Sequence, residues 1–198
     1  LIILLLFVAA WSSTDRFSML GGIRLGLQMF GYEIPLVLAM VSPAVVAGSL
    51  SISRIVQWQA EGLWFVITQP IGFVVLSLSL LAHLQRIPFD IPEAETEIVA
   101  GWLVEFSGKK LALLRLVKDL EVVLAGSLMA SLYLGGPSGI WQPNPFMYLV
   151  KLLVCIFILS NLRALFARFR IDQVLSGAWK YLTPLALLQL IVVELIPW

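Results

Sequence analysis

Five runs of about 18 to 24 mostly apolar residues alternate with short polar links along this 198-residue chain. They cover residues 31–52, 63–84, 111–134, 146–166 and 179–196. A helix needs about 20 such residues to cross the hydrocarbon core of a bilayer, whereas barrel strands show alternating segments of about 10. Only 13% of the residues are charged and 60% are hydrophobic, against roughly 25% charged in a soluble domain. The pattern predicts an all-α, polytopic transmembrane helix bundle of about five full spans. Residues 1–11 are apolar but too short to cross, and they lack the initiator Met and basic start of a signal peptide. They read as one partial N-terminal span. The whole of 1–198 is then expected to be a single transmembrane domain, an N-terminally truncated fragment of a larger subunit.

The links have their own chemistry. Residues 12–30 are mildly amphipathic and glycine-rich, which predicts an interfacial segment capped by Ser13 or Thr14. Residues 53–62 read as a polar turn. Pro35 and Pro43 fall inside the first run, a position tolerated where neighbours satisfy the freed backbone groups. A kink is expected near Pro70 and Gly72. Gly135, Gly136 and Pro137 close the third run, and Trp141 with the prolines around Asn144 suggests a short interfacial turn. Trp11, Trp58, Trp64, Trp141, Trp179 and Trp198 lie near run ends, where tryptophan anchors helices at the membrane surface. With loops alternating sides, Arg16, Arg24, Arg86, Lys109, Lys110, Arg115, Lys118, Arg163, Arg168, Arg170 and Lys180 fall on one side, and Arg54 and Lys151 on the other. That asymmetry of 11 to 2 assigns the first side to the cytoplasm.

The densest chemistry sits on that side. Five of the chain's 12 acids, Asp90, Glu93, Glu95, Glu97 and Glu105, occupy the connection 86–110. Asp90 followed by Glu93, with Pro92 between them, resembles a capping box opening a new helix. At 100° per residue, Asp90, Glu93 and Glu97 would fall within about 60° of one another, Glu105 about 60° to the other side, and Glu95 away. Acids sharing a face repel, which raises some of their pKa values and lets protons be held and passed on. The plainer alternative is a solvated loop stabilised by a helix N-terminus. Acids continue into the flanking runs as Glu33, Asp119 and Glu121. Glu121 would lie about 15 Å along the third run. Arg115 with Asp119, and Lys118 with Glu121, have the spacing of local helical ion pairs. Ionisable groups retained near lipid commonly line ion pathways.

Other chemistry is sparse. His83 is the only histidine and Cys155 the only cysteine. A haem, zinc or iron–sulfur site needs several such ligands, so His83 reads as structural and no cofactor or metal site is expected in this chain. A net charge of +1 gives no nucleic-acid footprint.

RIPFDIPEAETEIVAGWLVEFSG resembles the signature of the H-type membrane subunits of respiratory complex I and of related membrane-bound hydrogenases. Trp11-Ser12-Ser13, Tyr32-Glu33, Ala47-Gly48-Ser49, Arg170-Ile171-Asp172-Gln173 and Trp179-Lys180-Tyr181-Leu182-Thr183-Pro184 resemble that family in the same order. The resemblance implies a non-catalytic subunit between peripheral redox subunits on the cytoplasmic side and antiporter-like membrane subunits, in the plasma membrane of a prokaryote. Iron–sulfur clusters and a NiFe centre would belong to partner subunits. The acids would form a path coupling electron transfer to translocation of H⁺ or Na⁺. Glu33, Asp90, Glu93, Glu95, Glu97, Glu105 and Glu121 match that path by position, Asp119 less closely, with Arg86, Arg115 and Lys118 as charge partners. Residues 108–121 are more charged than the aromatic-rich segment of quinone-reducing members, and so resemble the ferredoxin-linked, hydrogenase-type branch. Two alternatives stand beside this: a quinone-reducing member of the family lining the quinone pocket, and a stand-alone secondary ion transporter.

Overall fold

Asp15 starts the helix around which the others pack. Its Oδ2 accepts hydrogen bonds from the backbone N–H groups of Phe17 and Ser18, at 3.1 and 3.2 Å, satisfying two of the donors a helix leaves open at its start. The computed structural model describes residues 2–13, 15–99, 101–138 and 144–195, apart from the side chains of Ile2, Glu95 and Thr96. Thr14, Trp141 and Trp198, named above as a cap or as anchors, lie outside the described residues. Ser13 accepts only from the Asp15 N–H, so the cap is one residue beyond the two expected.

From this cap α2 runs unbroken over Arg16–Val46, 31 residues or about 46 Å. The expected interfacial segment is therefore the first half of a long helix. Its glycines serve close packing: Gly21 packs against the backbone of Gly101 and Trp102, and a Cβ there would meet the Trp102 nitrogen at 2.8 Å. α1 (Ile2–Trp11) lies along α2. α3 (Ile52–Glu61) replaces the expected polar turn. It buries Ile55 and Gln59, four residues apart and hence on one face. Gln59 donates to the Ser131 and Leu132 carbonyls at 3.2 and 3.1 Å.

The second apolar run is broken where proline suggested. α4 (Phe65–Thr68) ends at Gln69, and α5 (Pro70–His83) begins at Pro70. Ser42 donates to Gln69 across the break at 2.9 Å. Gly72 serves packing, because the Tyr133 hydroxyl occupies the place of a Cβ and donates to the Ala39 carbonyl of α2 at 2.7 Å. After the acidic connection, with its short helix α6 (Glu95–Ile98), come α7 (Gly108–Tyr133) and α8 (Pro145–Leu165), which pack together. Asn144 caps α8 by accepting from the Phe146 N–H at 3.0 Å. α9 (Ile171–Gly177) continues through a π-helical turn at Ala178–Leu182 into α10 (Thr183–Leu195), so the last helical run begins well before residue 179.

No strand occurs among the described residues, and 79% of the chain is helical. Among the described residues three helical runs are long and apolar enough to cross a membrane: Arg16–Val46, Pro145–Leu165 and Ile171–Leu195; Pro70–His83 is apolar but shorter. α7 has the length, at 26 residues, but carries Lys109, Lys110, Arg115, Lys118, Asp119 and Glu121. Buried Lys151 near the start of α8 donates to the Leu134, Gly136 and Ser138 carbonyls and lies 4.5 Å from the Trp64 ring centroid. Its cation thereby closes the C-terminal end of α7, where the helix dipole favours positive charge. Trp64 and Trp58, the latter stacked on Phe65, thus have packing partners inside the protein.

Candidate ion-relay site

The acidic connection is not a helix with one acidic face. Pro88 and Pro92 remove backbone donors, and the turns around them leave only α6 and a 3₁₀ turn at Gly101–Leu103. Val99 and Gly101 both have positive φ, 52° and 56°. A Cβ on Gly101 would run into the Pro92 carbonyl oxygen, so only glycine fits. Neither the capping box at Asp90–Glu93 nor the shared face of Asp90, Glu93, Glu97 and Glu105 forms. Buried apolar residues hold the connection instead: Phe89, Ile91, Ala94, Ile98 and Trp102 are all inside. Gln28 of α2, fully buried, donates to the Ala82 and Phe89 carbonyls at 2.8 and 2.9 Å.

The acids consequently face separate partners. Glu93 forms an ion pair with Lys118 of α7, and both side chains are mostly buried, at 21% and 12% exposed. Lys118 also donates to Gln85 Oε1 at 3.3 Å and lies 5.2 Å from the Trp102 ring centroid. Asp90 and Glu121 lie within electrostatic reach of the same ammonium. Glu121 is half-buried, and its Oε1 accepts no hydrogen bond among the described residues. The charges of Glu121 and Glu33 both reach Tyr32 on α2, although Glu33 itself is exposed.

The remaining acids lie at the edges. Glu97, 53% exposed, pairs with Arg24 of α2 at 2.6 Å and with Arg168 at 4.0 Å. The Arg24 hydrogen bond, assisted by the charges of Arg168 and Arg170, holds its carboxyl below the ordinary carboxylate range. Glu105 accepts from the Asp15 N–H at 3.2 Å. Glu95 belongs to α6, but its side chain lies outside the described residues. Of the local pairs expected on α7, Asp119 instead pairs with Arg86 at 2.9 Å, and Lys118 makes its ion pair with Glu93 while Glu121 stays within electrostatic reach. The spacing was right for contact along α7, but partners arriving from the folded-back connection win.

Arg24, Gln28 and Gln85 are site residues that the sequence does not single out, and Arg168, read from sequence as one of a basic turn with Arg163 and Arg170, is brought within 4.0 Å of Glu97. Arg24 alone leaves a signal, as one cation in an otherwise apolar, glycine-rich stretch. His83 stands edge-on to Tyr32, with ring centroids 5.6 Å apart. Among the described residues no group of three His, Cys, Asp or Glu side chains is placed to hold a metal ion.

Comparison with known proteins sets this geometry in a family. The family described as NADH dehydrogenase matches residues 1–194. An H-type subunit of NADH-quinone oxidoreductase from Rhodopseudomonas palustris is 39% identical over 189 residues, 96% of this chain and 59% of the relative. The H-type subunit of F(420)H(2) dehydrogenase from Methanosarcina mazei is 41% identical over 196 residues, 93% of this chain and 56% of the relative. A chain of the membrane-bound sulfane sulfur reductase, an archaeal respiratory membrane complex, superposes with a TM-score of 0.86 at 28% identity, covering 95% of this chain and 64% of that one. The chain thus spans less than two thirds of the length of these relatives. A family match over residues 1–194, with relatives 39% and 41% identical over nearly all of the chain, makes this helical membrane protein a member of the NADH dehydrogenase family.

Proposed function

We propose that this chain is a non-catalytic membrane subunit that couples electron transfer in a peripheral iron–sulfur or hydrogenase-like module to translocation of H⁺ or Na⁺ through its acids. The observation that carries the reading is the Lys118–Glu93 ion pair, with Asp90 and Glu121 in reach of the same cation. A partly buried cation facing three acids stabilises their charged forms, the nearest most strongly. Any event that shifts Lys118, or adds charge near it, alters which acid holds a proton or an ion. The path then runs from Glu97 and Glu93 through Asp90 and Glu121 to Glu33, with Glu95, Glu105 and Asp119 at its flanks.

On this reading α2, α4 with α5, α7, α8, and α9 with α10 form five spans of one membrane domain. The side rich in arginine and lysine, including the acidic connection, faces the cytoplasm of a prokaryotic cell. Peripheral redox subunits dock there, and antiporter-like subunits lie beside the bundle. The redox centres belong to those partners. The charged start of α7 favours a ferredoxin-linked, hydrogenase-type assembly. The names of the relatives at 39% identity favour the second reading, a membrane subunit of a quinone-reducing complex. A stand-alone transporter has less behind it, since such folds show paired repeats and none is visible here.

Purification from native membranes tests this. Iron–sulfur subunits should co-purify in fixed proportion, and ion uptake should require an electron donor. Ion transport by the chain reconstituted alone, without a donor, would refute the coupling role and support the transporter.

A further inference from the structure

Two cavities meet at Phe169. One, of about 350 Å³, is polar and lined by Arg24, Arg168 and Arg170 together with Glu97 and Asp172. The other, of about 330 Å³, is almost wholly apolar and runs between α2, α5 and the π turn, past Tyr32, Phe89, Phe166 and Ala178. Phe169 lines both. Its position is fixed: its N–H donates to the Pro88 carbonyl at 3.1 Å, and its ring lies 5.8 Å from Phe89 and 6.1 Å from Phe166.

The location has a further meaning. Residues 166–170 link two helical runs that are each long and apolar enough to cross a bilayer, so the link lies at a membrane surface. Three arginines against Glu97 and Asp172 leave the polar cavity one positive charge in excess. Arg170 and Asp172 are exposed. The apolar cavity has one unsatisfied polar group on its wall: the hydroxyl of Tyr32, a residue 3% exposed, has no hydrogen-bond partner among the described residues. A cationic head site that shares Phe169 with an adjoining apolar cavity lined by Tyr32 is complementary to an amphiphile with an anionic head, an ester carbonyl and an acyl chain.

We infer that these adjoining cavities bind one anionic phospholipid, its phosphate against Arg168 and Arg170 and one acyl chain along Phe169 and Ala178. This inference uses the membrane residence of the chain and not the ion-coupling reading. The phosphate would share Arg168 with Glu97 and meet Arg170 from the solvent side. Basic pockets between membrane helices bind acidic headgroups by the same charge complementarity.

The test uses the protein purified from its native membrane in the assembly it forms there. Phosphatidylglycerol carrying a photoactivatable group in its acyl chain is compared with phosphatidylcholine carrying the same chain, and adducts are mapped by peptide mass spectrometry. Phosphatidylglycerol should label residues 166–182 in preference to phosphatidylcholine. R168Q and R170Q should each reduce that preference about fivefold, the worth of one surface arginine toward an anionic lipid. R170K should retain it. A178F, which fills the apolar cavity without touching the charges, should abolish labelling by both lipids. Equal labelling by the two lipids in the wild-type protein would overturn the inference, whether or not the variants assemble. Displacement by inorganic phosphate at equal concentration would also overturn it, by showing a soluble-anion site, as would displacement by a short-chain quinone.

Discussion

Lys118 of α7 and Glu93 of the acidic connection form an ion pair although 25 positions separate them in the chain. The pair exists because the connection folds back on itself between α5 and α7, held by Gln28 and the buried Trp102. It joins the acidic segment to the helix that carries Asp119 and Glu121.

The pair should show thermodynamic coupling. K118Q leaves Glu93 mostly buried without its cation and should destabilise the protein more than the double variant E93Q/K118Q does. A coupling energy of about 1–3 kcal/mol is expected for contacting charged residues. Thermal unfolding in detergent, completed as a double-mutant cycle, measures it; additive effects would show that the two side chains do not interact.

The close approach of α2 to the 3₁₀ turn should be intolerant of a methyl group. Gly21→Ala places a Cβ 2.8 Å from the Trp102 backbone nitrogen, where a flexible side chain cannot yield. A loss of about 1–3 kcal/mol is expected from such overpacking. Gly177→Ala, whose Cβ meets nothing within 4 Å, is the control and should hold or raise the melting temperature, since alanine is the better helix former.

Lys151 should be structural on the side of the bundle opposite the acids. Lys151→Met removes the donor to the Leu134, Gly136 and Ser138 carbonyls and leaves them without that bond. About 3 kcal/mol of stability should be lost, as expected when buried hydrogen bonds to a charged group are removed. Limited proteolysis within residues 134–138 should accelerate in this variant and not in Lys151→Arg.

The contact between Arg24 and Glu97 should depend on pH in one direction. The Glu97 carboxyl is held below its ordinary value of 4.5, chiefly by the Arg24 hydrogen bond. Its folded-state pKa is depressed, so its contribution to stability is fully present above that ordinary value and is lost as pH falls through the lower folded value. Wild-type protein and R24Q should therefore differ in melting temperature at pH 7 and converge in acid. Because Glu97 is half-exposed, the difference should also shrink in high salt. A difference that persists in strong acid would show that Arg24 acts through packing alone.

Much of the fold was readable because it follows from apolar length: α7, α8 and the break at Pro70 stand close to where composition put them. What failed were inferences that needed tertiary knowledge. Residues 12–30 read as a separate interfacial segment, but Gly21 admits the backbone of Gly101 and Trp102 and Gly22 the side chain of Ala10, and the helix continues to Val46. The sequence 53–62 is polar enough for a turn, but Ile55 and Gln59 share a helical face that α7 buries. At the site, Asp90, Glu93 and Glu97 have helical spacing, yet Pro92 and the positive φ angles of Val99 and Gly101 prevent the helix. The acids were identifiable from composition, and Arg86 and Lys118 were named as charge partners, but the pairings Arg86–Asp119, Lys118–Glu93 and Arg24–Glu97 were not, because nothing local decides which long-range cation arrives first.

Ion uptake per electron transferred, in inverted membrane vesicles, tests the coupling claim most directly. H⁺ and Na⁺ uptake are measured with electron transfer for wild type, E93Q, E121Q and E97Q, with the content of all subunits checked in the same membranes. Gln preserves size and hydrogen bonding but cannot release a proton or carry charge. E93Q and E121Q should lower the ratio by about tenfold or more, as loss of a positioned proton-transferring group does, with assembly intact. E97Q, exposed and bound to Arg24, should lower it less. Wild-type ratios in fully assembled E93Q and E121Q would contradict the relay and leave the acidic connection as a structural clamp between α2 and α7.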